Sequence, residues 1–143
     1  MKLLDIVKEW DDDGEIDRTD LVEVARQVPK IHAKYLKYYV IEKQLLARLQ
    51  KDNNILRLKK FEFYTQGPNE KTDSSWEMPA SGRVLKSECE RYLDADPDLV
   101  NLGLNLELAK EKVGALESII KLINNRGYLI SNIMGHEKWM GGS

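Results

Sequence analysis

The chain has 143 residues, 42% of them hydrophobic and 32% charged, with a formal net charge of -2. That length predicts one domain with its own core, while 8% aromatic residues and nine glycines argue against a β-sandwich or barrel. The single cysteine, Cys89, excludes an internal disulfide and fits a reducing compartment.

The near-neutral charge conceals a segregated one. Residues 1–29 sum to -5. Residues 30–60 carry nine bases (Lys30, Lys34, Lys37, Lys43, Arg48, Lys51, Arg57, Lys59 and Lys60) against Glu42 and Asp52, a balance of +7. One concentrated basic segment in an otherwise acidic chain is the footprint of an anion-binding surface. No apolar run approaches the roughly 18 residues of a membrane span. The start, MKLLDIVKEWDDD, turns acidic too early for a secretory signal, so the expected protein is intracellular.

In chain order, residues 2–10 read as a short amphipathic helix, interrupted by DDDGEID. Glu9 to Asp20 falls near a calcium-loop register, with Asp11, Asp13 and Gly14 in place. Glu9 stands where the first Asp belongs, and Asp20 is too short for the last bidentate Glu. An acidic turn followed by a helix cap is the simpler reading. The pair Asp20 and Glu23 predicts a helix start, and Pro29 predicts a kink or restart. From Ile31 the apolar positions step by three and four through Tyr35, Tyr38, Leu45, Leu49 and Leu56, with Glu42 and Asp52 at the two polar steps. Lys30, Lys34, Lys37, Arg48 and Lys59 project to another side, so the bases form a stripe.

The stretch ILRLKKFEFYTQG closes this helix with Arg57, Lys59 and Lys60 beside Phe61, Phe63 and Tyr64. Residues 65–82 read as a long polar loop, and residues 83–93 as a short helix. Asp96-Pro97-Asp98 then announces a second long helix: an N-cap, a first-turn proline and an acid at the positive end of the dipole. Its seam runs without a miss through Leu99, Leu102, Leu106, Ala109, Val113, Leu116, Ile120, Ile123, Gly127, Ile130 and Met134. Leu104, Leu108, Ile119, Leu122, Leu129 and Ile133 widen it to a second side, which calls for a second partner.

The expected fold is therefore all-α: a single domain, 1–143, of two long helices paired as an antiparallel hairpin or coiled coil with short flanking helices, assembling into a homo-oligomer. Its parts are an N-terminal helix and acidic loop (1–18), a long basic and aromatic helix kinked near Pro29 (19–64), a polar loop (65–82), and a short helix with the heptad helix (83–143). The seam residues Leu116, Ile120, Ile123, Ile130 and Met134 are the expected oligomer contacts.

Catalytic patterns are missing from the sequence: no Gly-rich phosphate loop, no nucleophile elbow, no zinc-protease helix and no paired cysteines. His32 and His136 stand far apart, and Cys89 has nothing nearby in sequence to lower its pKa. The expectation is a non-enzyme without cofactor or metal. Cations neutralise phosphates and aromatic faces stack bases in single-strand binding proteins. The candidate nucleic-acid residues are accordingly Arg57, Lys59, Lys60, Phe63, Tyr64, Arg48 and Lys51. A coiled-coil scaffold that binds protein without nucleic acid is the alternative, in which the same lysines merely face water.

Three blocks together resemble the UvsY family of recombination mediators from T-even-type tailed phages: KKFEFYTQG (59–67), LKSECERYLDADPDLV (85–100) and INNRGYLISNI (123–133). By position the family's arginine falls on Lys60, its aromatic pair on Phe63 and Tyr64, and its first lysine on Leu58, a departure that Arg57 and Lys59 flank. The resemblance implies single-stranded DNA binding, a ring-like homo-oligomer, and as partners a UvsX-like phage recombinase and the phage single-stranded-DNA-binding protein. It implies no cofactor and no catalytic residue.

Overall fold

The computed structural model describes residues 1–141. Four α-helices carry the fold: α1 (Leu3–Asp13), α2 (Leu21–Gln66), α3 (Cys89–Ala95) and α4 (Pro97–Met140), with one 3₁₀ turn, Lys86–Glu88, leading into α3. No strand occurs among the described residues. The all-helical expectation with two long helices holds, and both start signals act as read. The Glu23 N–H donates to the Asp20 carboxylate at 3.2 Å. At α4, the Asp98 and Leu99 N–H groups donate to Asp96 at 3.0 and 3.1 Å. Pro29 does not end its helix, since α2 continues through it for 46 residues. The carbonyl that loses its donor belongs to Ala25, an exposed residue, so water can replace the missing bond. Among the described residues no helix is long and apolar enough to cross a membrane.

The chain divides into two compact units, Met1–Leu45 with the chain from Leu108 on, and Leu46–Glu107. In the first unit α2 and α4 run antiparallel. Tyr39 donates to Glu117 at 3.2 Å, and three residues later Glu42 lies 3.0 Å from Lys112. The core is Ile6, Tyr35, Leu116, Ile119 and Ile123, flanked by Trp10, Val28, Ile31, Tyr38, Tyr39 and Ile120. Glu42, the polar step in the α2 series, is buried and finds its cation on the facing helix. An ion pair at a core layer penalises any register that separates the two charges.

The acidic segment serves this unit as a docking device. Asp13 ends α1 and accepts from Lys34 at 2.7 Å and from the Tyr35 hydroxyl at 2.8 Å. Burial pushes the Asp13 carboxyl up, but these hydrogen bonds outweigh it and hold it below the usual carboxylate range. Arg126, buried on α4, donates to the carbonyls of Asp13, Gly14 and Glu15, each at 3.0 Å. A cation thereby caps the negative end of α1. The near-match to a calcium loop is not one: Glu9 to Asp13 is helical, and Asp11 and Asp13, two apart on a helix, point away from each other.

In the second unit α2 and α4 are again antiparallel. The buried cluster is Phe63, Tyr64, Val84, Cys89, Leu93 and Leu99, with Leu56, Phe61, Trp76, Met78 and Tyr92 against it. Gly67, at φ 86°, ends α2 in the left-handed region that favours glycine. Its N–H donates to the Phe63 carbonyl at 2.9 Å, and the Val84 N–H returns to Tyr64 at 2.8 Å. The polar loop is thus tied to the helix end, and it adds Trp76 and Met78 to the core.

Candidate nucleic-acid interface

The residues singled out at the end of α2 separate into a buried set and an exposed set. Lys60 belongs to the core. Its ammonium lies 3.0 Å from Asp96 and 2.8 Å from Asp98, its side chain is 4% exposed, and it sits 4.1 Å from the centre of the Trp76 ring. Tyr64 donates to the same Asp96 at 2.6 Å. Burial pushes the Tyr64 hydroxyl well above its ordinary value, and its bond to Asp96 adds to that. Burial also raises Asp96, but the bonds from Tyr64, Lys60 and the Leu99 amide prevail and hold it low.

This arrangement corrects the stacking platform expected from the sequence. Phe63 and Tyr64 are 4% and 7% exposed. Their rings pack against each other and against Trp76 and Tyr92, so neither stands free as a stacking platform. Lys60 has two carboxylates in place of phosphates. The reason is positional: Lys60 stands four residues after Leu56 and three and four before Phe63 and Tyr64, on the side of α2 that faces the core, and the start of α4 brings Asp96 and Asp98 to meet it.

The exposed set remains. Arg48, Lys51 and Lys59 are open to solvent, and at about 100° per residue they share an arc of roughly 80° on α2. Arg57 is half-buried, bound to Glu90, with Asp94 at 3.8 Å. Both carboxylates are more than two-thirds exposed. Surface pairs of this kind contribute about 0–1 kcal/mol, so a phosphate can displace them.

Beside Lys59 the folded loop makes an open groove of about 430 Å³, lined by Leu56, Lys59, Glu62, Phe63, Asn69, Lys71, Thr72, Asp73 and Trp76. Lys71 and Trp76 belong to this groove although neither lies in the basic and aromatic segment of α2. The available signal was a lone tryptophan amid small polar residues. Helical periodicity has nothing to say about a loop.

The expected oligomer contacts need a second correction. Leu116, Ile123 and Ile130 are 0%, 1% and 4% exposed, and Ile120 packs against the same core. The seam is spent inside the chain, against α1 and α2. Of the five residues only Met134, 47% exposed, stays open. The unpartnered side of α4 is the other one: Leu108, Leu122 and Leu129 are about half exposed (54%, 56% and 49%), and with Ala115 they recur every seventh position. Among the described residues no group of three or more His, Cys, Asp or Glu is placed to hold a metal ion.

Fold and site together define a class: a protein of paired long helices with an exposed cationic strip beside a partly aromatic groove. Residues 9–143 match the profile of the family described as recombination, repair and ssDNA binding protein UvsY. The chain belongs to the UvsY family. A search of curated proteins gave no match. Crystal structures of the bacteriophage T4 recombination mediator protein UvsY share the fold. Lattice type II aligns at TM-score 0.83 and 23% identity, over 99% of this chain and 98% of that one. Type IV aligns at 0.84 and 20%, over 97% and 99%; type I aligns at 0.80 and 24%, over 95% and 98%.

Proposed function

We propose that the chain is a single-stranded-DNA-binding recombination mediator. It helps load a UvsX-like phage recombinase onto DNA covered by the phage single-stranded-DNA-binding protein, in the cytoplasm of the infected host cell. The processes served are homologous recombination, repair and recombination-dependent replication. The observation that carries this reading is the exposed strip of Arg48, Lys51 and Lys59, a part of the +7 segment that the core does not claim, in a chain of this family.

Three or four cations per subunit hold a strand weakly. A homo-oligomer, by the family resemblance a ring, converts the later contacts into intramolecular ones at high effective concentration. The half-exposed ridge Leu108, Leu122 and Leu129 is the surface proposed for assembly in place of the seam. Phosphate contacts through lysine and arginine are indifferent to sequence, which suits a mediator that must act on any strand.

Binding of labelled oligo-dT over a salt series, with mass photometry on the same samples, tests the reading. For single strands the logarithmic salt slope is about -0.7 per phosphate neutralised. A discrete oligomer with a steep slope is expected. An oligomer that ignores the strand at low salt would instead favour a coiled-coil scaffold for protein partners.

A further inference from the structure

We infer that the loop groove beside Lys59 is a base-binding subsite, taking one unstacked base of single-stranded DNA against Trp76 with its flanking phosphates on Lys59 and Lys71. The inference rests on the single-strand reading and deepens it. Trp76 lines the groove whereas Lys60, which covers part of its ring, does not. The indole is only half-buried, so the groove meets a part of the ring that the ammonium leaves open. Contact with Phe63 at 5.5 Å and with Lys60 fixes the indole in place, so little side-chain freedom is lost when a base arrives. Stacking on such a ring suits any base.

Asn69 supplies an edge contact. Its carboxamide oxygen accepts from the Lys71 N–H at 2.8 Å and from the Thr72 hydroxyl at 3.2 Å. These bonds orient the amide, and they leave its nitrogen as the donor with no protein partner among the described residues. Pyrimidine carbonyls, such as O2 and O4 of thymine, are acceptors for it. The two acids of the groove do not defeat the charge argument. The Asp73 carboxylate accepts from the Ser75 amide and hydroxyl at 2.8 and 2.6 Å, and Glu62 is open to solvent, where counterions screen it. Lys59 and Lys71 are both exposed at the groove.

Tryptophan emission of the full chain reports on this directly, titrated with oligo-dT and with an abasic strand of equal length. The expected result is quenching by oligo-dT that Trp76→Phe loses and that the abasic strand does not produce. Lys71→Ala, on the surface and outside the core, should flatten the salt slope by about 0.7 per subunit engaged. If oligo-dT binds but Trp76→Phe shows the wild-type change in emission, or Lys71→Ala keeps the full slope, the subsite is refuted and the mediator reading stands. If oligo-dT fails to bind at low salt, both fall together.

Discussion

Lys60 and Asp96 form an ion pair at 3.0 Å, with side chains 4% and 1% exposed, inside the segment whose sequence looks most like a DNA-binding surface. A charge pair so enclosed costs far more to break than to form, because the survivor is left buried and uncompensated, about 3–5 kcal/mol for one partner removed. Lys60→Ala should therefore lower the unfolding free energy by about that amount, and any loss of DNA binding should track lost helicity. Lys59→Ala, one residue earlier, should leave stability within about 0.5 kcal/mol. Chemical denaturation of both variants checks the contrast. Equal stabilities would mean that Lys60 is not committed to Asp96.

The same acids predict the pH response. Asp96 and Asp13 both titrate below their ordinary range in the folded chain. Their contribution is complete above the unfolded carboxylate value, about 3.9, and is lost as pH falls through the depressed folded values. Tyr64 and Tyr35 are shifted the other way, first by burial and then by their carboxylate partners. Their contribution is present below the unfolded phenol value, about 10, and fades as pH rises above it. Melting temperature against pH should thus be flat through neutrality and fall at both extremes, and Asp96→Asn, lower at neutral pH, should show the smaller fall on the acid side.

The helical architecture was legible because its signals are local. Caps at Asp20 and Asp96, and an unbroken three-four rhythm from Leu99, depend on residues at most a turn apart. What could not be read was which apolar side of α4 the chain keeps for itself. Leu116 and Leu122 look alike in a heptad, yet one is 0% and the other 56% exposed. Lys60 fails for the same reason in reverse. Its partners lie 36 and 38 positions downstream, and no periodicity on α2 announces them. The loop was misjudged by composition: small polar residues signalled solvent, while Trp76 and Met78 dock on the helix they follow.

Arg126 makes a third test. It is 4% exposed and donates to three backbone carbonyls at the end of α1. Hydrogen bonds from charged groups contribute about 1.5–3 kcal/mol each and are not additive, so Arg126→Ala should cost about 3 kcal/mol or more. The loss should be local first. Amide exchange ought to accelerate across residues 3–15 before the rest of that unit. Uniform acceleration would show that Arg126 supports the unit as a whole rather than the α1 terminus.

Removal of the exposed strip should behave differently from either core variant. The triple substitution of Arg48, Lys51 and Lys59 by Ala removes three solvent-exposed side chains of α2. Helicity and oligomer mass should be unchanged, while oligo-dT binding weakens equally for all strand sequences. The salt slope should fall by about 2 per subunit engaged, at roughly 0.7 for each lost phosphate contact. A triple variant that binds like the parent chain would move the interface off this face of α2.

The two sides of α4 can be separated by paired substitutions. Leu116 is wholly enclosed, and its truncation to Ala should destabilise the chain by about 2–5 kcal/mol whatever its oligomeric state. Leu122 is more than half exposed in the isolated chain, where a charge costs little. Leu122→Glu should therefore keep the helical circular-dichroism spectrum and dissociate the assembly, because a buried interface would have to desolvate the new carboxylate. Dissociation should in turn weaken oligo-dT binding without altering Arg48, Lys51 or Lys59, since separate subunits lose the shared strand. Mass photometry gives the answer directly. An undisturbed oligomer in Leu122→Glu would remove the Leu108–Leu129 ridge from the interface and leave the exposed apolar residues of α2, Leu36, Val40 and Ile41, as the surface to substitute next.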